Sequence, residues 1–497
     1  MKALRLELAR TALKRRRTRI VATLGPASSS DEVIEKLIVA GVDVFRLNFS
    51  HGNHEGHGQN IERVRRIAQK LGRHTAILGD LCGPKIRVGT FDGGGVDLVV
   101  GDVVHVTTRN VVGGAKDGVV VVPSQYVELA EDVKAGDRIL LDDGKLEMKV
   151  TETDGKTEVK ALVVQGGRLK DKKGMNLPGV DVSTAAVTDK DKADAIFAAS
   201  HGVDFLALSF VRSEKDVAIL RDLLDQNGHG TTPIIAKIEM PQAIDNIDAI
   251  FGAVDGIMVA RGDLGVEMLP EEVPLIQNEL VRLAIQKNKP VIVATQMLES
   301  MIESARPTRA EVTDVAAAAL ARADAVMLSA ETAAGKFPVE AVATMDRVLR
   351  LVEGYQWNHG QHGRPHDRPN EVLGGLAADP GEALSRATSL LSRDLEVRAV
   401  VVPTRSGRTA RLVSAERPAA PIVALTHDAA LARRLSLCWG LIAEVKSEVE
   451  LQKPQHAALE VVRRFALADR DQPVLLVWDA STGAGARVEP TVSILHA

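Results

Sequence analysis

The sequence predicts an α/β protein: a (β/α)8 barrel of the TIM type, interrupted by an all-β lid domain and followed by a separate α/β domain. Three observations predict it. Eight short apolar runs recur with helical stretches between most of them. A stretch rich in Val, Gly, Asp and Thr, with few helix signals, separates the third run from the fourth. A polar segment with three His and two Pro precedes a second set of strand-like runs. At 497 residues the chain exceeds one ordinary domain. The expected division is a barrel over 1–86 and 181–353, an inserted β-barrel lid over 87–180, a linker over 354–370 and a C-terminal α/β domain over 371–497.

The barrel runs fall at 20–24, 42–47, 75–80, 204–210, 233–239, 255–261, 290–296 and 325–329. They have the length and apolar content of buried parallel strands. Helical spacing fills 32–40, 216–224 and 273–286, and the last barrel helix is expected over 338–351. Eight such units close into a ring whose chemistry sits at the carboxyl ends of the strands. In the insertion, Asp142-Asp143-Gly144 between apolar runs is a hairpin signal. The insertion is placed to close over the barrel mouth. The histidines of the linker lack metal-ligand spacing. The C-terminal domain shows strands at 399–402, 421–425 and 473–478, and a helix over 410–414.

A formal charge of −4 gives no global case for nucleic acid or a membrane as partner. The basic run Lys14-Arg15-Arg16-Arg17 has no apolar segment after it and reads as a solvated lead-in. Only Cys82 and Cys438 occur, without paired spacing, which points to a reducing cytoplasmic setting without disulfides or a zinc site. No run reaches transmembrane length.

Polar residues stand where the apolar runs stop. Lys237 and Glu239, two apart, share one strand face, and Asp263 follows the next strand. Together they could hold a divalent metal beside a phosphoryl group; a salt bridge at a strand end is the competing reading. Arg46, Asn48 and Ser50 alternate onto one face, Asp80 ends the third strand and Thr295 lies in the seventh. Arginine with amide, hydroxyl and carboxylate oxygens suits a phosphate next to a hard cation. The turn Gly262-Asp263-Leu264-Gly265 offers unhindered N–H groups for a carboxylate. Thr404, Arg405, Ser406, Gly407, Arg408 and Thr409 link a strand to a helix and form a candidate anion site, a plain strand–helix turn being the alternative. Such a set suits phosphoryl transfer, where catalysis is mainly positioning and charge neutralisation. No P-loop or protein-kinase motif is present, so a nucleotide must be held another way.

These blocks resemble the pyruvate kinase family, in order: 45–52 (Phe-Arg-Leu-Asn-Phe-Ser-His-Gly), 80–87 (Asp-Leu-Cys-Gly-Pro-Lys-Ile-Arg), 173–179 (Lys-Gly-Met-Asn-Leu-Pro-Gly), 236–239 (Ala-Lys-Ile-Glu), 257–265, 294–300 and 327–332. The C-terminal domain is similar through 406–411 and 437–440, less distinctively. The resemblance implies phosphoryl transfer from phosphoenolpyruvate to ADP, giving ATP and pyruvate through an enolate. It implies Lys237 at the phosphoryl group, and magnesium or manganese on Glu239 and Asp263. It further implies the substrate carboxylate on Gly262, Asp263 and Thr295, Arg46 on phosphate, and Arg87 and Lys173 on the nucleotide phosphates. A sugar-phosphate effector at 404–409 and a homotetramer are also implied.

One departure concerns potassium. Many relatives carry Thr-Lys-Gly-Pro-Glu after the aspartate, whereas Leu81-Cys82-Gly83-Pro84-Lys85 follows Asp80 here. A fixed ammonium at Lys85 replaces the glutamate, and the expectation is turnover largely independent of potassium, since like charges repel. Against this, Asn48, Ser50, Asp80 and Leu81, the matching monovalent-cation ligands, are retained. The rivals are another phosphoenolpyruvate-handling barrel and an inactive phosphosugar-sensing homologue. Thr295, Ser329 or a water chain remain as proton donors to the enolate.

Overall fold

The structure is a computed structural model and describes residues 13, 15–116, 118–361, 363, 379–480 and 489–497. Eight parallel strands form a closed barrel: β1 (Arg19–Thr23), β2 (Val44–Asn48), β3 (Ala76–Asp80), β4 (Phe205–Leu208), β5 (Ile234–Ile238), β6 (Gly256–Ala260), β7 (Val291–Ala294) and β8 (Ala325–Leu328). Each begins and ends within two residues of the run expected from sequence. Alternation along each strand sorts side chains into two layers. Val21, Val44, Ala76, Leu78, Ile235, Met258, Ile292 and Met327 fill the inside of the ring. Their neighbours Ile20, Phe45, Ile77, Ile234, Ala236, Ile257 and Val293 face the surrounding helices. Those helices begin where side chains satisfy the first free N–H groups, as in the capping boxes of Thr188 with Asp191 and Thr308 with Glu311.

The inner register decides the chemistry. Ile235 points inward, so Lys237 and Glu239 do too, at the carboxyl end. The same parity brings Thr23, Arg46, Asn48, Asp80 and Ser329 to that rim. At the opposite end Leu437 of the C-terminal domain is buried among the inner residues and stops the barrel.

The insertion is built on a seven-stranded sheet and a two-stranded ribbon, Gly95–Leu98 with Gly167–Lys170, around its own apolar core. This arrangement differs from the single β-barrel expected, and one helical turn, Leu129–Asp132, interrupts it. The Asp142–Gly144 turn joins Arg138–Leu141 to Leu146–Thr153 as an antiparallel hairpin.

The helix expected to stop at 351 runs over Pro338–Asn358, so the expected linker starts inside it. Glu353, Gly354 and Gln356 are buried, and Glu353 accepts the backbone N–H groups of Arg17 and Thr18 at 2.6 and 2.7 Å, which extends the packed face. Residues 364–378 of the linker and the C-terminal domain lie outside the described residues.

The C-terminal sheet has five strands, β9 (Val400–Pro403), β10 (Ile422–Thr426), β11 (Leu441–Val445), β12 (Pro473–Ala480) and β13 (Glu489–His496), in the order β11-β10-β9-β12-β13. β11 and β13 were not expected. β13 is an antiparallel edge strand, where Pro490 is tolerated.

The basic lead-in is corrected at Arg16 and Arg17, whereas Arg15 is exposed as expected. Arg16 is buried between Asp43 and Asp346, and Arg17 donates to the Ala419 carbonyl of the C-terminal domain at 3.0 Å. Carboxylates supplied by distant helices and loops turn these charges inward. Lys14 lies outside the described residues.

Candidate active site

At the rim, Lys237 Nζ lies 2.8 Å from Glu239 Oε1, 2.8 Å from Ser209 Oγ and 3.6 Å from Asp80 Oδ1. Asp80 Oδ2 accepts from Arg46 Nε at 2.6 Å, and Arg46 Nη1 donates to Thr23 Oγ1 at 3.1 Å. Four charges thus form one buried chain, Arg46, Asp80, Lys237 and Glu239. Burial opposes the Lys237 ammonium, but Asp80 and then Glu239 outweigh it and hold the group above its ordinary value. Burial, reinforced by Asp263 and opposed by Lys237, raises the Glu239 carboxyl. The lysine holds its proton because it draws on two carboxylates.

The chain is incompletely satisfied. Glu239 Oε2 accepts from the Phe210 N–H at 2.8 Å, yet Oε1 has only the ionic contact with Lys237 and no aligned donor. Asp80 Oδ1 likewise lacks a hydrogen-bond donor. Buried oxygens of this kind are costly unless something completes them. Glu239 and Asp263 also repel each other. Two hard carboxylates with an open oxygen fit a magnesium-type ion that takes its remaining ligands from substrate and water. Among the described residues no group of three or more His, Cys, Asp or Glu forms a metal cage by itself.

Asp263 lies in the short helix Arg261–Glu267 that follows β6 directly. The Gly262 N–H donates to Thr295 Oγ1 at 2.8 Å, and a Cβ on Gly262 would come within 3.2 Å of that oxygen. Thr295 Oγ1 donates in turn to the Ala294 carbonyl at 2.8 Å. Thr295 and Gln296 have φ of 69° and 56°. Left-handed backbone at such residues costs on the order of 1–3 kcal/mol each and persists where surrounding contacts enforce it. Arg261, which sequence reasoning did not select, enforces it here. Its guanidinium binds the Ala294 and Thr295 carbonyls and pairs with Asp314.

The other expected residues separate into smaller groups. Arg87 and Lys173 stand side by side where the chain enters and leaves the insertion, through the Arg87–Gly174 bridge. Lys173 Nζ pairs with Asp142 Oδ1 of the hairpin at 2.7 Å, which holds that carboxyl below its usual range. A narrow cleft of about 50 Å³ separates lid from barrel and is lined by Lys85, Asn176, Asp263 and Glu267, among others. Asn176 Nδ2 donates across it to Glu267 Oε1 at 2.8 Å, while Glu267 Oε2 is buried without a partner. Glu267 was also missed. Its signal was an acid at the end of the same seven-residue helix as Asp263.

Asn48 Oδ1 accepts from the Ser50 N–H at 3.1 Å, and the Leu81 carbonyl accepts from Ser209 Oγ at 2.7 Å. Two of the expected monovalent-cation oxygens are therefore engaged internally.

The turn after β9 borders a cavity of about 520 Å³ with Thr404, Arg405, Ser406, Thr409, His427 and Trp478 in its wall. Thr404 Oγ1 accepts from the Gly407 N–H at 3.0 Å, and Arg408 turns away to pair with Asp379 at 2.5 Å. Of the six residues expected to share one anion, Gly407 and Arg408 do not border this cavity. It is larger than the cleft between lid and barrel, which Asp263 and Glu267 border.

A family model described as "Pyruvate kinase, barrel domain" matches residues 15–342, and one described as "Pyruvate kinase, alpha/beta domain" matches 382–487. The chain is 44% identical over 427 residues to a pyruvate kinase of Sporosarcina psychrophila, covering 86% of this chain and 71% of that one. It is 43% identical over 425 residues to a pyruvate kinase of Mycobacterium tuberculosis, covering 86% of each. The crystal structure of a pyruvate kinase from Cryptosporidium parvum superposes with a TM-score of 0.87 at 33% identity, covering 97% of this chain and 96% of that one.

Proposed function

The chain belongs to the pyruvate kinase family, and we propose that the rim of its barrel is where the phosphoryl group of phosphoenolpyruvate passes to ADP. The observation that carries this reading is the buried Lys237 ammonium, set between Asp80 and Glu239 and within the field of Asp263. A fixed cation at that point opposes charge on the moving phosphoryl group and on the enolate oxygen left behind. In the reaction the bond from phosphorus to the enol oxygen breaks, a terminal ADP oxygen bonds to phosphorus, and the enolate takes a proton at carbon. Arg46 is already oriented by Asp80 and offers its remaining N–H groups to phosphate.

Glu239 and Asp263 would hold the divalent ion, which supplies positive charge to the phosphate and the enolate oxygen. Gly262, Asp263 and Thr295 would take the substrate carboxylate, with the Thr295 hydroxyl yielding the Gly262 N–H to it. Arg87 and Lys173 would meet the nucleotide phosphates, Lys173 exchanging Asp142 for them. Of the two hydroxyls expected to deliver the proton, Thr295 is engaged as donor and acceptor. Ser329 Oγ is buried without a partner, which supports Ser329 or a water bound to it.

Internal donors on Asn48 and Leu81, with Lys85 beside the cleft, support turnover without potassium. Arg405, Ser406 and Thr409 would hold a sugar-phosphate effector in the 520 Å³ cavity of a homotetramer. Pyruvate formation in a coupled assay tests the central reading. Lys237→Ala is expected to lose on the order of 10³-fold in kcat, and full activity in that variant would remove it. Lys85→Glu is expected to make turnover depend on added potassium; a wild-type response in potassium-free buffer would remove the potassium reading alone.

A further inference from the structure

A cavity of about 410 Å³ lies at the end of the barrel away from Lys237, between the strand starts and the C-terminal domain. Phe205, Pro233 and Pro290 border it on the barrel side, and Leu412, Leu431 and Leu435 on the other. Five cations and two carboxylates also border it.

Most of these charges are engaged. Lys287 pairs with Asp248 at 2.9 Å and Arg408 with Asp379 at 2.5 Å. Asp255 pairs with Arg221 at 2.8 Å, and Glu382 accepts from Asn288 Nδ2 at 3.2 Å. Three cations remain without a carboxylate in ion-pair contact among the described residues. Lys289 donates to the Val254 carbonyl at 2.8 Å, and Arg411 reaches the Ser406 carbonyl at 3.4 Å. Arg434 Nε is buried with no partner. Burial depresses the Lys289 ammonium below its ordinary value, Asp255 partly opposes this, and the Arg411 charge adds to it. The unsatisfied Arg434 Nε and the like charges of Lys289 and Arg411 both raise the energy of this arrangement, and an anion would relieve both.

We propose that this interdomain cavity binds a small phosphorylated molecule with an apolar or planar body, its phosphate held by Lys289, Arg411 and Arg434. Two guanidiniums and an ammonium match the oxygens of a phosphomonoester, and the leucine wall accepts the rest of the ligand. Pockets of this size commonly form between domains. The site is distinct from the 520 Å³ cavity and independent of any reading of it. Ser406 borders both. Gly407 beside it, at φ 77°, is packed so that an added Cβ would meet Leu431 Cδ1 at 2.8 Å. One closely packed turn therefore separates the two cavities.

Calorimetric titration of the full chain with phenyl phosphate and with inorganic phosphate tests the proposal. Wild type is expected to bind one more equivalent of phenyl phosphate than R411Q/R434Q, and more tightly than inorganic phosphate. K289Q should weaken that equivalent by at least about 10-fold, whereas R405Q, in the other cavity, should retain it. Wild-type titration curves in both R411Q/R434Q and K289Q would overturn the site. Equal affinity for the two probes would overturn the apolar body. If R411Q/R434Q does not fold, the half-buried K289Q decides the matter.

Discussion

The two ends of the barrel use the same residue types and finish them differently. At the stopped end, Asp324 Oδ2 accepts from Arg417 at 2.9 Å and from the Val291 N–H at 3.2 Å, and Oδ1 from the Trp439 N–H at 2.9 Å. Asp204 accepts from Arg65, Arg433 and the Ile77 N–H, and Asp43 from Arg16, Arg19 and the Ile20 N–H. Each of these carboxylates has donors on both oxygens. At the open end Asp80, Glu239 and Glu267 each keep one buried oxygen without an aligned donor. Saturated carboxylates hold domains together, whereas unsaturated ones are kept available for something that arrives.

The contrast can be tested with one chemical change at both ends. Glu239→Gln is expected to reduce turnover by on the order of 10²–10³-fold while leaving the unfolding midpoint unchanged or higher, because the fold already disfavours that charge. Asp324→Asn should do the reverse. Removing its charge leaves Arg417 buried and turns an amide toward donors, lowering stability by about 2–4 kcal/mol with kcat unchanged. Equal stability losses in denaturant titrations of the two variants would break the comparison.

A smaller effect concerns pH. Burial raises the folded-state pKa of Glu267, so the native state binds more protons than the unfolded chain between the ordinary Glu value and that raised value. Its contribution to stability therefore improves as pH falls through the raised value and is fully present below the unfolded one. Glu267→Gln keeps an acceptor for Asn176 and should raise the midpoint at neutral pH by ~2 °C, with the gain vanishing in acid. A gain that persists at acidic pH would assign it to packing instead.

Much of the barrel and its rim was legible because both depend on local pattern. An apolar run ending in a polar residue reports a strand and its rim, and the two-residue spacing places Lys237 and Glu239 together before any contact is known. What escaped depends on partners distant in sequence. Arg16 reads as solvated until Asp346 is beside it, 330 positions later. The helix through Asn358 continues because Glu353 meets Arg17 and Thr18, which its own stretch does not disclose. Arg261 and Glu267 sit within a recognised block, yet their roles follow from a backbone conformation at Thr295 and from a lid residue, Asn176. The strand Glu489–His496 opens on Glu-Pro and was obscured for the same reason: its pairing along Pro473–Ala480 is what makes it a strand.

Leu437 has a consequence for the order of assembly. The ring's last strand leaves the ribosome about a hundred residues before its stopper, so a nascent barrel exposes the apolar end layer of its packed interior until much of the second domain has emerged. A chain halted in that interval would present this apolar layer to chaperones and to other nascent chains.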